Sequence, residues 1–490
     1  MCSKDNAMTA PHPALESTSN AALSSFVQLV QDDTSATVLP NLLVAVQQVT
    51  LLVTTLALAM LQAYVDIRLR QAKAKRRCCE RCREPMEWNA SSTWRHGTQF
   101  GDVLVRDVYA YCRRCQQSAR PLHGWLGTSA ERWSLELEHK VVDLAVDESC
   151  AKAVSKLERQ HPGTEVGRTS ALRMLHKHGA AAREFVIDKM AGALADAAKE
   201  GQRSGVVELE VEFDGGMVPV ATLEPIAVPE GKEPERTKVR GLPKRHKNCR
   251  WEEVKLGLVQ VPGQVDGRLY TVRPTAELEE AFNDLLGLAC MKGWSEQTQV
   301  RGIADGARHI RPRMADAFHA CPFVFILDRP HAKEHLDDAG QALETLGGAP
   351  KVIWAAHALE RLERGDAMQV VDELRLAAAA APAPIHDGLR READYFERNQ
   401  DAVVYQLYRE RGWSTASSEV ESGHRSVVQV RLKLSGTWWH PDNVKNILAL
   451  RMIKANGWWN EYWNLQRERW RLRADDFRST CERTRLPTAA

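Results

Sequence analysis

Acidic residues at the ends of apolar segments are the part of this chain with the clearest capacity for chemistry. Residues 206–216 alternate apolar and polar side chains, which predicts a half-buried strand that ends on Asp214 and is followed by a glycine turn. Residues 299–305 predict another strand, which ends on Asp305, and Glu421 lies in a predicted helix. An acid at the open end of a sheet is accessible to a metal ion, although Asp-Gly is also ordinary turn punctuation.

Two Cys-x-x-Cys pairs form a second candidate site. Zn²⁺ prefers four soft ligands in a tetrahedron, and the pairs supply them as Cys79, Cys82, Cys112 and Cys115. Cys78 is adjacent to the first pair and is an alternative ligand to Cys79. Residues 93–99 and 102–111 predict a small hairpin around Gly101, so residues 76–125 are interpreted as a zinc ribbon.

The composition is that of a soluble globular protein, with 44% hydrophobic and 27% charged residues. The net charge is only +2, so any affinity for nucleic acid must come from local basic patches. Residues 67–83 and 236–250 are such patches, and the second contains Lys244, Arg245 and Lys247. Both are predicted to contact phosphates, with ordinary solvated loops as the alternative.

The beginning of the chain predicts no membrane span. Residues 1–34 are interpreted as a disordered lead-in, and residues 35–75 as a helix. The apolar core between Gln48 and Gln62 falls short of the roughly 20 residues that a spanning helix needs. We therefore expect a buried or oligomer-forming helix, and the eleven cysteines favour a reducing, cytoplasmic location.

Residues 130–200 are predicted to be helical. A third helix is expected from about residue 169 to residue 178, and residues 180–200 continue as an amphipathic helix. Arg173 and Lys177 could face a major groove, as in a helix-turn-helix. A plain helical hairpin between domains is the alternative.

The predicted order of elements after residue 205 is three strands, a helix, a strand, a helix and a strand. That is the order of a ribonuclease-H-like mixed sheet, in which Asp214 and Asp305 would lie side by side. Residues 205–330 would form the first part of this α+β core, with a separate strand expected at 217–223. The remaining segments are assigned as a helical insertion at 331–412, a core completion at 413–475 and a tail at 476–490.

Several motifs taken together are more specific than any one of them. Besides the cysteine pairs, they are Phe213-Asp214-Gly215, Asp305-Gly306-Ala307, Leu327-Asp328-x-x-His331, Val420-Glu421-Ser422, Arg431-x-Lys433 and Trp438-Trp439. On these motifs, over roughly residues 75 to 465, the chain resembles bacterial insertion-sequence transposases of the DDE type, in the ISKra-type family. That family is similar in plan to Mutator-like transposases.

The resemblance implies a two-metal-ion polynucleotidyl transferase. Asp214, Asp305 and Glu421 would hold Mg²⁺ or Mn²⁺, and the enzyme would cleave DNA and transfer the strand. Asp328 is the rival of Asp305, and Asp328 with His331 matches an accessory motif of such transposases. A metal site at Asp328, His331 and His335 is a further possibility, with a hydrogen-bonded scaffold as its alternative.

The implied partners are terminal inverted repeats and target DNA, bound by a homo-oligomer. Arg431 and Lys433 join the predicted DNA-binding residues. The carboxy-terminal tryptophans could stack on bases, although their spacing favours packing against the sheet. Two other functions stay open, a non-catalytic DNA-binding remnant and a nuclease of the same fold without strand transfer.

Overall fold

The structure, a computed structural model, has an α+β architecture with about 58% helix and mixed sheets. It describes residues 42–73, 78–79, 81–119, 132–200, 205–226, 243–264 and 266–483, together with Arg236 and a few isolated positions before residue 28. The predicted lead-in therefore lies almost entirely outside the described residues. Two compact units are present, the hairpin unit (Met1–Leu175 with Asn460–Ala490) and the sheet unit (His176–Trp459).

A long antiparallel hairpin is the centre of the hairpin unit. Strands β1 (Glu87–Thr98) and β2 (Gly101–Tyr111) pair from Thr98↔Gly101 to Glu87↔Tyr111, and the short β3 (Ser118–Ala119) adds to β2. Gly101 has a φ of +117°, which a residue with a side chain rarely adopts. The predicted hairpin around Gly101 is confirmed, and it is longer than the sequence pattern indicates.

Helix α1 (Leu42–Lys73) packs one face against β2. Val65 is buried with Val103 and Val105, and the Gln62 side chain bonds to both backbone groups of Leu104. Within the described part of the chain, Val49–Gln71 is one helical segment long and apolar enough to cross a membrane, and only 11% of it is buried. The predicted helix is present, but its apolar part is longer than the stretch between Gln48 and Gln62, and the expectation that it is buried is wrong, whereas the oligomer-forming alternative stays a prediction.

Three helices follow the hairpin, α2 (Leu135–Ala145), α3 (Cys150–Gln160) and α4 (Arg168–Glu200). The hydroxyls of Ser134 and Ser149 accept hydrogen bonds from the first turns of α2 and α3 and so cap them. The prediction that a helix ends at residue 178 is wrong, because α4 continues unbroken through Gly179. A Cβ at Gly179 would lie 2.5 Å from the Cβ of Asn446, so this glycine permits close helix packing.

A five-stranded sheet forms the core of the sheet unit. Its strands are β4 (Glu208–Pro225), β5 (Arg245–Gln260), β6 (Leu269–Pro274), β7 (Gln299–Ala304) and β8 (Phe323–Leu327). Their order is β6-β5-β4-β7-β8. Strands β4, β5 and β6 pair antiparallel, whereas β4, β7 and β8 pair parallel.

The first of these strands differs from its prediction. It does not end at Asp214 but runs on to Pro225, so the separate strand expected at 217–223 is wrong. The strand is also buried on both faces between Leu209 and Phe213, and not half-buried. Its glycines serve close approach and not a turn, since a Cβ at Gly216 would lie 2.6 Å from the His424 ring. At Gly215, a Cβ would collide with the carboxylate of Glu253.

Helices surround the sheet and fill the rest of the unit. Helices α5 (Leu278–Met291) and α6 (Ile310–Ala317) connect the strands. The predicted insertion is helical, as α7 (Arg329–Thr345), α8 (Lys351–Arg364), α9 (Ala367–Ala380), α10 (Ala383–Arg398) and α11 (Tyr405–Glu410). It is followed by α12 (Ser418–Gly423), a π-helical turn (His424–Gln429), α13 (Val430–Leu432) and α14 (Pro441–Ala455). The last helix, α15 (Trp459–Arg483), belongs to the hairpin unit from Asn460 onward.

The carboxy-terminal tryptophans have mostly structural positions. Trp439 is buried and bonds through its backbone to Pro219 and Ala221 at the edge of β4. Trp463 is fully buried and stacks on His139 in the hairpin unit, with ring centroids 4.2 Å apart. Packing is therefore confirmed for these two residues, and for Trp463 the observed partner is His139 of the hairpin unit.

Candidate functional sites

The four predicted zinc ligands converge. The sulfur atoms of Cys79, Cys82, Cys112 and Cys115 all lie within 4.8 Å of one another, and those of Cys82 and Cys112 are 3.5 Å apart. A tetrahedron with Zn–S bonds of about 2.3 Å places its sulfurs about 3.8 Å apart, so this set fits zinc. Cys78 is buried outside the cluster, which settles the choice between Cys78 and Cys79.

Two tight turns hold these cysteines. In the first turn, the Cys79 amide donates to the carbonyl of Glu84, and Arg83 has a φ of +62°. In the second, the Cys112 amide donates to the carbonyl of Gln117, and Gln116 has a φ of +52°. Backbone amides, foremost that of Cys82, donate to the Cys79 sulfur and lower its pKa to about 7. These amides therefore favour the thiolate form of Cys79, which binds a metal. At Cys82, a backbone amide that lowers the pKa is outweighed by burial and a hydrogen bond with Cys115, so the pKa of Cys82 is raised.

The register of the sheet brings three aspartates to one region. Phe213 of β4 pairs with Ala304 of β7, so Asp214 and Asp305 both follow this pair. The backbone amide of Asp328 donates to the carbonyl of Ala304 at 2.9 Å, which places Asp328 next along the same edge. The predicted neighbours Asp214 and Asp305 thus lie on adjacent parallel strands.

The carboxylate of Asp214 is largely buried, with 19% of its side chain exposed. One of its oxygens accepts a hydrogen bond from the Gly215 amide at 2.7 Å. Burial raises the pKa of Asp214; the Gly215 amide, His424 and His331 lower it in part, and the negative charge of Asp305 raises it slightly further. Two acids that repel one another in a partly buried place are a suitable pair for a cation.

A positive φ of +59° at Gly306 turns the chain directly after Asp305. This turn lets the Ala307 amide donate to the Asp305 carboxylate at 3.0 Å. A side chain at Gly306 would collide with Leu327, so the turn needs glycine for both its dihedral angle and its space. The Asp-Gly pair after β7 therefore forms a turn, whereas the Asp-Gly pair in β4 lies within a continuous strand.

Asp328 differs from the other two aspartates because its oxygens already have close partners. It is 1% exposed and caps α7. One oxygen accepts from the His331 ring at 2.6 Å and from the His331 amide at 3.2 Å, and the other accepts from the Ser417 amide at 2.6 Å. These bonds favour a role in which Asp328 orients the residues around it over one in which it binds a metal ion.

His331 carries a positive charge beside the aspartates. Its hydrogen bond to Asp328 raises its pKa to about 9, and the charges of Asp214 and Asp305 act in the same direction. His335 lies elsewhere, because its ring nitrogen is 2.6 Å from Glu392 and the ring stacks on Tyr395. His335 therefore belongs to a hydrogen-bonded scaffold, which is the predicted alternative to a metal site with Asp328 and His331.

Glu421 stands apart from the two aspartates in this structure. Its side chain is 63% exposed and forms an ion pair with Arg425 at 2.5 Å. Among the described residues, the four cysteines are the one group of three or more potential ligands whose atoms all lie within 4.8 Å. Asp214, Asp305 and Glu421 thus do not form so close a group.

Helix α12 nevertheless has two connections to the aspartate region. The Val420 amide donates to the carboxylate of Glu212 at 2.7 Å, and the His424 ring lies 3.3 Å from the backbone carbonyl of Asp214. Burial lowers the pKa of His424, so the ring favours its neutral form. Glu421 lies between these two anchored residues.

Glu212 is a buried acid that the sequence pattern did not single out. It is fully buried, one of its oxygens has no hydrogen-bond partner, and burial raises its pKa to about 8. Glu210, Glu212 and Asp214 share one face of β4, because alternate residues of a strand point the same way. The sequence signal for Glu212 was this alternation of acidic residues, but the same pattern is also typical of a strand face exposed to solvent.

The predicted DNA-binding residues fall into two groups. Most are exposed: Arg173, Lys177, Lys244, Arg245, Lys247 and Lys433. Arg431 is 2% exposed, and its guanidinium lies 4.5 Å from the centre of the Trp439 ring. A direct DNA contact by Arg431 does not fit this placement, and its role is to pack the segment that borders β4.

No model of a known protein family matches this chain, and no curated protein matches its sequence. The interpretation of both sites therefore depends on their own geometry and chemistry.

Proposed function

We propose that the protein is a DDE-type transposase, which binds insertion-sequence ends as a homo-oligomer, cleaves them and joins them to target DNA. The observation that carries this proposal is the position of Asp214 in β4 and of Asp305 directly after the adjacent parallel strand β7. The strand order β6-β5-β4-β7-β8 supports a ribonuclease-H-like assignment for the sheet. A cytoplasmic location, on the nucleoid, belongs to the same proposal.

The aspartate region fits Mg²⁺ or Mn²⁺ by the chemistry of its donors. Asp214 and Asp305 offer hard carboxylate oxygens, and their mutual repulsion would be relieved by a divalent cation. When bound, two such ions supply an activated water or 3′-hydroxyl and stabilise the leaving oxygen of a phosphodiester. Asp214 and Asp305 would hold them from the sheet.

Glu421 would complete the set after a small rearrangement. Its present partner Arg425 is 71% exposed, and an exposed ion pair contributes at most about 1 kcal/mol. Glu212 holds the Val420 amide and Asp214 lies against the His424 ring, so the backbone on either side of Glu421 is held, and its side chain is the part that would move. Incoming DNA phosphates are a suitable new partner for Arg425.

His331 and Asp328 have a positioning role in this proposal. The protonated ring of His331 places a positive charge where the phosphate groups of DNA would enter, and Asp328 fixes its orientation. The four-cysteine cluster has a separate, structural role. Zinc there would join the two turns and contribute to the folding energy of a small DNA-binding module.

The test is an assay of cleavage and joining with a labelled DNA that carries the ends of the element, in Mg²⁺ or Mn²⁺. We expect nicks at the element ends followed by joined products, and no products from Asp214→Asn. Cleavage without joining would favour the nuclease. Binding of ends without cleavage in either metal would favour the non-catalytic DNA-binding protein.

A further inference from the structure

Two tryptophans and two lysines form a compact surface on the sheet unit. Trp251 of β5 is 54% exposed, and its ring centre lies 6.1 Å from that of Trp438. The ammonium of Lys433 lies 6.0 Å from the Trp251 ring, and that of Lys247 lies 5.4 Å from the Trp438 ring. We call these four residues the tryptophan–lysine surface.

The chemistry of this surface combines an open aromatic face with positive charge. Leaving a large apolar side chain half in water forgoes part of the roughly 1.5–3 kcal/mol that burial would give. The neighbouring acids do not neutralise the lysines of the surface, because Glu252 pairs with Arg250 and Glu253 pairs with Lys255. The exposed indole and the cations thus remain together at the surface.

The arrangement along β5 aligns these groups in a row. Arg245, Lys247 and Trp251 are odd-numbered residues of one strand, so their side chains leave from the same face. Arg245 and Lys247 are exposed, like Trp251. A row of cations that ends in an exposed aromatic ring matches a strand of nucleic acid, which has regularly spaced phosphates and flat bases.

An unpaired strand fits this surface better than a duplex. The faces of bases in a duplex are already covered by their neighbours, whereas an unpaired base can stack on tryptophan. Trp251 lies opposite Pro219, five residues beyond Asp214 on β4, or about 17 Å at 3.4 Å per residue. Since Pro219 and Asp214 are an odd number of residues apart on β4, the side chains of Trp251 and Asp214 leave opposite faces of the sheet.

We infer that the tryptophan–lysine surface binds single-stranded DNA, with one base stacked on Trp251 and flanking phosphates at Lys247 and Lys433. The inference rests on the proposed function in one respect, that DNA is the substrate of the aspartate site. It adds a separate surface for unpaired DNA on the face of the β4–β5 pair opposite to Asp214.

Fluorescence anisotropy of the full-length protein with a labelled oligothymidylate, and with a duplex of equal length, tests this inference without a divalent metal. Trp251→Leu keeps an apolar side chain and removes the aromatic ring. We expect it to weaken single-strand binding about tenfold, because base stacking contributes about 1–3 kcal/mol. Duplex binding should be unchanged. Trp251→Phe should retain most of the affinity, and Leu376→Ala, a change of an exposed apolar residue in α9 of the same unit, is the control.

Lysine variants provide a second, independent measurement. Lys433→Ala should reduce the slope of log affinity against log salt by about one, whereas Trp251→Leu should leave that slope unchanged. Equal losses for single strand and duplex, or no loss in Trp251→Leu, would overturn the inference. Wild-type protein that binds duplex but no single strand would do the same and leave the proposed function standing. If single-strand binding depends on Trp251 but the protein never cleaves DNA, the proposed function is refuted and the inference about the tryptophan–lysine surface stands.

Discussion

At the scale of single residues, the aspartates of the sheet unit differ in what surrounds them. Asp214 and Asp305 each accept one short backbone bond from the residues that follow, at 2.7 and 3.0 Å. Asp328 accepts three hydrogen bonds and caps α7. Its environment therefore satisfies its charge within the protein more fully than single backbone bonds satisfy those of Asp214 and Asp305. This difference favours Asp305 over Asp328 as the middle acid.

Asparagine substitutions test that assignment. Asp305→Asn and Glu421→Gln should still bind element ends but cleave them at least about a thousandfold more slowly, the scale expected when charge stabilisation by a metal is lost. Asp328→Asn should reduce cleavage by about tenfold or less, since asparagine caps helices as well as aspartate does. Rates from single-turnover cleavage decide between them. Abolished cleavage in Asp328→Asn with activity in Asp305→Asn would reverse the assignment.

The buried Glu212 should make stability depend on pH. Burial raises its pKa from 4.5 to about 8, so the folded protein holds a proton that the unfolded chain releases. The stabilisation is full below about pH 4.5 and is lost as the pH rises through 8. Glu212→Gln keeps an acceptor for the Val420 amide and cannot ionise.

The free energy of unfolding, measured in urea between pH 5 and pH 9, checks this expectation. The wild type should lose stability relative to Glu212→Gln as the pH rises, because ionised Glu212 is buried without a counter-ion. A difference between the two proteins that stays constant over this range would contradict it. Glu280→Gln, a change of an exposed carboxylate in α5, is the control.

At the scale of elements, the sequence predicted correctly those structures that depend only on residues close together in the chain. The cysteine turns and the hairpin around Gly101 are short-range structures, and their spacing was sufficient. The role of Gly216 depends on His424, whose ring contacts Asp214 from 210 positions away along the chain. A sequence pattern contains no such long-range contact, so a turn was predicted within the continuous strand β4. The short strand β6 was missed for lack of a distinctive pattern.

Gly216 offers a direct test of this packing. A Cβ there would lie 2.6 Å from the His424 ring, so Gly216→Ala should push the π-helical turn off the strand and destabilise the protein by about 1–3 kcal/mol. Gly388→Ala in α10 is the matched control, because a Cβ there has no neighbour within 4 Å, and it should be neutral or stabilising. Equal midpoints of thermal unfolding for the two variants would show that His424 does not need the glycine.

The cysteine cluster is the second element with a measurable consequence. Cys112→Ser and Cys82→Ser should each lose about one zinc per chain and destabilise the turns around residues 79–83 and 112–117, because metal ligation supplies folding energy. Elemental analysis and limited proteolysis measure the two effects. Cys249→Ser, at an exposed cysteine of β5, should change neither. Purified wild-type protein without zinc would refute the assignment.

At the scale of the whole molecule, the long apolar helix α1 has one face on the hairpin and much of its surface exposed. Val46, Leu51, Val53 and Met60 are between 54% and 61% exposed. Such a helix is unfavourable in water unless another surface covers it. The proposed homo-oligomer would cover it with a second copy, whereas a lipid bilayer is the competing environment that the length of Val49–Gln71 allows.

The double variant Leu51→Glu, Val53→Glu distinguishes these two environments. If α1 joins copies of the chain, the charges cannot be buried between helices, and light scattering should find a smaller particle than for the wild type. Leu376→Glu is the matched control, since Leu376 is 76% exposed in α9, and it should leave the mass unchanged. Sedimentation with liposomes is the second measurement. Wild-type protein that pellets with the vesicles, together with a variant that does not, would assign α1 to the membrane and remove it from the oligomer.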